Sequence, residues 1–223
     1  YGLAFSTDGT KMFVTGQSGD SVYQYTLSSG FDVSTASYDS VSFSVAAQET
    51  NPTGITFNTD GTKMYIVGGG QDINEYTLST AFDISTSTYS QNFSVASQET
   101  SPSGITFNTD GTKMFIVGYN GDEVNEYTLS TGFDVSTASF VDAFSVASQD
   151  TTPRGIAFNT DGTRMFIVGS GNDSIYEYAL STGFDVSTAS FTDSFSVSAQ
   201  DSNPLAIAFN AGGSKMLILG GTN

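Results

Sequence analysis

Glu49, Glu99, Asp150 and Asp201 each stand three residues before a proline, and Asp20, Asp72, Asp122 and Asp173 form a second recurring set. Rings of carboxylates at a fixed register are the donor type that a hard cation such as calcium takes, with six to eight oxygens around it. The same pattern also fits acidic loops that are simply solvated. Calcium at Glu49, Glu99, Asp150 and Asp201 is therefore the one cofactor the residues suggest, and none is required. Two further residues break the regularity. Arg154 follows Pro153 and is out of register with every other basic residue. It could orient an anionic group, or it could pair with Asp150. Tyr119 lies in a loop where the other units have no aromatic residue, which makes it a candidate for stacking on a sugar.

Other chemistries are excluded by composition. The chain has no His and no Cys, so imidazole and thiolate are missing as bases, nucleophiles and metal ligands. The net charge is −17, with 6 basic against 23 acidic residues. That balance repels nucleic acid and anionic membrane surfaces. No apolar run approaches the roughly 18 residues of a membrane span. Tyr1 is not an initiator methionine, so a missing export signal carries little information.

These residues are carried on a repeat. "NTDGTKMFIVG" at 108–118 returns with small changes at 6–16, 58–68, 159–169 and 210–220, and Phe5, Phe57, Phe107, Phe158 and Phe209 mark its period. A period of about fifty residues built from short strand-like runs indicates a propeller. In the third unit "GITF" reads as one strand and "KMFIVG", apolar on both alternating sides, as a strand buried on both faces. "EVNEYTL" reads as a half-exposed strand with Glu126 and Thr128 outward, and "AFSVAS" as the fourth. Asp-Gly joins the first two strands as a hairpin turn. The expected fold is all-β: a single domain with units near 1–51, 52–101, 102–152, 153–203 and 204–223. That gives four complete four-stranded antiparallel blades and a two-stranded half blade, most simply in a ring of five.

The rest of the repeat has local explanations. Asp8, Asp60, Asp110 and Asp161 belong to the Asp-Gly turns. Asp32, Asp83, Asp134 and Asp185 open Asp-x-Ser-Thr runs, where a carboxylate accepts nearby backbone N–H groups. Lys11, Lys63, Lys113, Arg164 and Lys215 each open the second strand and are expected to offset the Asp of their own turn. Tyr25, Tyr76, Tyr127 and Tyr178, with Phe43, Phe93, Phe144 and Phe195, are expected in the cores between blades. In a propeller, the Glu49 and Asp20 sets share one face with Arg154 and Tyr119.

The pattern "P-x-G-I-x-F-N-x-D-G-T-K-M-F-I-V-G" resembles the blade motif of lactonase-like, surface-layer-type β-propellers, the YVTN-repeat family. It covers about a third of each unit. The third strand departs from that family by ending in "EYTL", and "FDVSTAS" lengthens the outer hairpin. Blades of this longer kind resemble those of secreted and virion-associated proteins of marine microbes, which implies an extracellular or cell-surface setting. Near-identical loops suit a non-enzymatic module for structural assembly, adhesion or multivalent binding of a glycan or other surface ligand. The alternative implied by the resemblance is a calcium-dependent lactonase-like hydrolase. The apolar edge of "KMLILGG" needs a cover. Residues before Tyr1, residues after Asn223, or a neighbouring molecule donating strands or self-associating could supply it.

Overall fold

The computed structural model describes residues 1–221, and every regular element in it is a strand or a one-turn 3-10 helix. The first blade is Gly2–Phe5 (β1), Lys11–Gly16 (β2), Ser21–Leu27 (β3) and Ala36–Ser44 (β4). The second is Pro52–Phe57 (β5), Lys63–Gly68 (β6), Asp72–Leu78 (β7) and Ser87–Ser94 (β8). The third is Pro102–Phe107 (β9), Lys113–Gly118 (β10), Glu123–Leu129 (β11) and Ala138–Ser145 (β12). The fourth is Pro153–Phe158 (β13), Arg164–Gly169 (β14), Ser174–Leu180 (β15) and Ala189–Ser196 (β16). Pro204–Phe209 (β17) and Met216–Gly220 (β18) form the two-stranded fifth sheet. All pairings are antiparallel and sequential. The inner strands close on themselves, because β17 packs against both β13 and β1. Residues 222 and 223, at the end of the fifth unit, lie outside the described residues. No helix is long and apolar enough to cross a membrane.

The second strand of blades two and three is buried on both faces, as its unbroken apolar run predicts; Met114, Phe115, Ile116 and Val117 are all fully covered. The outer strand is the exposed one, with Phe140 and Phe191 open to solvent. "FDVSTAS" is less of an insertion than it reads. Val135–Thr137 forms one 3-10 turn capped by the Asp134 carboxylate, and Ala138 already begins β12. All four such Asp residues cap in this way.

The phenylalanine before each of these caps holds the blades together. Phe31, Phe82, Phe133 and Phe184 have φ values of 57, 55, 61 and 58°, a left-handed conformation that side chains avoid without compensation. The compensation is packing. The Phe133 ring lies where a Cβ on Gly111 would stand, 2.3 Å from that position, so only glycine fits there, and Gly111 also needs its own φ of 73°. Phe133 meets Phe107 at 5.4 Å, and Phe107 meets Tyr65 of the preceding blade at 4.6 Å. Tyr65 Oη and Lys63 Nζ both donate to the Phe133 carbonyl at 2.7 Å. Phe115, Phe158 and Phe184 repeat the arrangement one blade on.

Two sequence expectations fail here for one reason. The third-strand carboxylates are buried: Glu75 and Glu126 are only 1% and 2% exposed. The second-strand cations pair with them rather than with their own turns. Lys63 meets Glu75 at 2.8 Å, Lys113 meets Glu126 at 2.7 Å, and Arg164 pairs with Glu177, while Lys11 turns to Asp39 at 2.9 Å. The other oxygen of Glu75 accepts the Val135 N–H at 3.2 Å, and that of Glu126 accepts the Val186 N–H at 3.0 Å. Alternation along one strand cannot reveal that the neighbouring blade supplies a donor.

The turn carboxylates are occupied locally. Asp60 and Asp110 sit below the ordinary carboxyl value of 3.8, chiefly through the hydroxyls of Thr62 and Thr112 and then their N–H groups. A carboxyl lowered on folding stabilises above its unfolded value, and that contribution disappears as pH falls through the folded value. Acid titration followed by circular dichroism should therefore show stability falling below about pH 4, with a shallower slope in Asp60→Asn plus Asp110→Asn. A second expected outcome concerns the blade contact: Phe133→Ala should lower unfolding free energy in urea by about 3 kcal/mol.

Candidate functional site

The inner strands approach each other most closely at their small residues. A Cβ on Gly104 would lie 2.8 Å from the Arg154 carbonyl oxygen and 3.2 Å from the Gly155 Cα, so the backbones are in contact there. This closes the axis to a constriction of about 30 Å³ lined by Gly54, Gly104, Gly155 and Ala206 with Ile55, Ile105, Ile156 and Ile207. A cavity opens at each end. On the face of the inner hairpin turns it measures 360 Å³ and is lined by repeated Thr, Asn and Phe residues, among them Thr59, Thr109 and Thr160. On the opposite face it measures 200 Å³ and is lined by Tyr1, Gln17, Thr53, Ser103, Arg154, Asn203 and Leu205.

That second mouth is where the repeat loses its symmetry. The residue just before the close-packed Gly or Ala is Tyr1, Thr53, Ser103, Arg154 and Leu205 in blades one to five. Five blades therefore contribute an aromatic ring, two hydroxyls, a guanidinium and an aliphatic chain to one opening. The hydroxyls are anchored across blades. Thr53 Oγ1 lies 3.2 Å from the Val67 carbonyl and 3.0 Å from that of Pro102; Ser103 Oγ lies 3.2 Å from those of Val117 and Pro153. A hydroxyl has one proton to donate, so each keeps acceptor capacity.

Arg154 does not pair with Asp150. The Asp150 carboxylate is buried and accepts the N–H groups of Thr152 at 2.7 Å and of Gly171 and Asn172 at 3.3 Å. The Arg154 guanidinium carbon instead lies 4.4 Å from the centre of the Tyr119 ring, and Nε donates to Ser170 Oγ at 3.3 Å. The structure thus joins the two irregular residues of the sequence into one feature: a cation on an aromatic face at the axial mouth.

The first acidic set has a structural occupation. Glu49 accepts the N–H groups of Asn51 at 2.7 Å and Gly70 at 2.9 Å, and Glu99 accepts those of Ser101 at 2.7 Å and Gly121 at 3.0 Å. Asp201 accepts the Asn203 N–H at 2.7 Å. Each carboxylate fastens the loop entering a blade, and in the first three cases ties it to the turn leaving that blade's second strand. Among the described residues no three acidic side chains gather closely enough to hold a metal ion.

The second set is split by register. Asp20, Asp122 and Asp173 have φ values of 43, 52 and 49°, and their carbonyls receive the N–H groups of Val45, Val146 and Val197. In blade two that place belongs to Gln71, with φ 66°, whose carbonyl receives the Val95 N–H. Asp72 has moved one residue on and opens β7, since its turn is shorter. The Asp122 carboxyl is pushed upward by desolvation and by Asp150, and its Oδ1 has no hydrogen-bond partner.

Sequence reasoning found Arg154 and Tyr119 but missed Thr53, Ser103 and Leu205. The signal was present: the position after the blade proline is where the inner strands vary most in chemical type, from Thr53 and Ser103 to Arg154 and Leu205. Replacing Glu99 by Ala should lower stability by about 2 kcal/mol, because two buried N–H groups lose their acceptor. A chelator should leave the thermal midpoint of the unmodified protein unchanged.

The sequence matches no protein-family model and no curated protein sequence. Its fold matches solved structures. A candidate 6-phosphogluconolactonase from Bacteroides uniformis superposes with TM-score 0.60 at 12% identity, over 98% of this chain and 63% of that one. One from Bacteroides fragilis gives 0.58 at 15% identity, over 87% of this chain and 54% of that one. A chain of a mitotic checkpoint complex gives 0.58 at 9% identity, over 98% and 57%. The chain spans less than two thirds of these proteins' length. The likeness establishes the propeller arrangement and reaches lactonase-named proteins, whereas the surface-layer side of the resemblance has no counterpart among them. It also corrects the expectation of a non-enzymatic module, because two of the propellers it matches bear a hydrolase's name.

Proposed function

We propose that this chain forms the binding mouth of a lactonase-like hydrolase whose substrate is a small cyclic ester bearing an anionic group. The observation that carries the reading is the Arg154 guanidinium, which among the described residues makes no ion pair and lies in a ring of side chains that differs from blade to blade. A reaction centre needs distinct roles in one place, and this mouth gathers an aromatic ring, hydroxyls and a guanidinium. A planar guanidinium binds phosphate or carboxylate through two parallel hydrogen bonds. Tyr119 supports its plane and shields one side from water. Thr53 and Ser103 present acceptor lone pairs to sugar hydroxyls, and Leu205 and the Tyr1 ring supply apolar wall.

Hydrolysis adds water to the ester carbonyl, breaks the ring C–O bond, and moves one proton from water to the departing alkoxide. Asp122 is the group assigned to carry that proton. It is in the same loop as Tyr119, and desolvation, with Asp150 beside it, raises its carboxyl above the ordinary value. The lactonase names of the matching propellers support the reaction class.

A pH-stat assay comparing 6-phosphogluconolactone with neutral gluconolactone tests this directly. Arg154→Gln should raise KM for the phosphorylated lactone about tenfold or more while barely changing the neutral one. Asp122→Asn should lower kcat with KM little changed. Turnover no faster than buffer, or an Arg154→Gln protein indistinguishable from the unmodified one, would remove the proposal.

A further inference from the structure

We infer that the groove between blades four and one is a docking site for a β-hairpin of this repeat's own third-strand–turn–outer-strand pattern, led by a left-handed phenylalanine. Each complete contact between blades has two halves. The preceding blade offers an aromatic residue, a cation and a Glu or Gln. The following blade offers a turn phenylalanine, its carbonyl and the N–H two residues on. At the fourth blade only the first half is present.

Four separate observations describe the missing half. Phe166 and Phe209 stack at 4.7 Å as Tyr65 and Phe107 do, but no third ring joins them among the described residues. Gly213 has a φ of 65°, left-handed like its equivalents, yet no described residue lies within 4 Å of its Cβ position, where a phenylalanine ring covers the other four glycines. Glu177 pairs with Arg164 but, among the described residues, receives no N–H like those that Val135 and Val186 give to Glu75 and Glu126. Phe195 is 62% exposed, whereas its counterparts Phe93 and Phe144 pack into the cores between blades.

On the far side of the groove the deficit is reversed. Val33, in the turn of blade one, is 53% exposed, while Ile84, Val135 and Val186 are fully buried. Blade one thus offers a turn with no third strand to receive it, and blade four offers a third strand with no turn. One hairpin of the repeat satisfies both and adds its backbone to the free edge of β18. Cavities of 600 and 220 Å³ mark the space it would enter. The occupant is an unpaired hairpin. A second folded copy cannot fill the role, because each of its own four hairpins is already paired within a blade.

The test uses the whole chain and a synthetic peptide with the sequence of residues 121–147, followed by calorimetry, sedimentation and thermal melting. One peptide should bind per chain, the complex should sediment as one chain plus one peptide, and the melting midpoint should rise. The same peptide with Phe133→Ala should bind about tenfold more weakly. Three results would overturn the inference: no binding, equal binding of both peptides, or a chain whose groove is covered by a second copy that the peptide cannot displace. None of these readouts depends on lactone hydrolysis, so the two proposals stand or fall separately.

Discussion

A phenylalanine held in the left-handed conformation joins each of blades two, three and four to the one before it. Its ring covers the glycine of its own inner turn and stacks on the inner-strand phenylalanine, and in blades three and four its carbonyl receives the lysine of the preceding blade. Removing any partner leaves strain without compensation. The Asp cap, the 3-10 turn and the start of the outer strand follow, since they fix where that ring sits. The buried Lys–Glu pairs follow too. A buried carboxylate is tolerable only with a cation and an N–H at hand, and the turn delivers the N–H.

This arrangement separates scaffold from mouth. The residues that hold blades together lie outward from the axis and are nearly the same in each unit. The residues at the axial opening differ in every unit, and their contacts across blades differ with them. The carboxylates of the entering loops set the boundary, fixing the backbone so that the next side chains reach the axis. Arg154 can therefore remain a cation without an ion pair in a chain of net charge −17, because Glu99 and Asp150 direct their oxygens to backbone donors.

Most of the fold was legible because its signals are local. Asp-Gly turns, apolar runs and alternation need only neighbouring residues, and the unit spacing needs only counting. Elements whose role depends on the adjacent blade were not legible. Glu126 alternates as an outward residue and is buried because Val186, sixty residues away, donates to it. Asp72 aligns with Asp122 by eye but not by register, since one residue of turn is missing. At the mouth, Arg154 and Tyr119 were each visible as irregular, but their contact crosses between blades. Thr53 and Ser103 were overlooked because each looks ordinary alone.

The sameness of the blade contacts has a consequence for order around the ring. Where junctions between complete blades are built alike, as between blades two and three and between three and four, they carry no address, and energetics that depend on nearest neighbours do not distinguish one order of those units from another. Direction around the axis is written only in the five side chains of the mouth. Rotating the order of units would leave the framework unaltered and turn the mouth with it. Exchanging two units would instead change which groups sit side by side, giving a differently handed opening on the same frame.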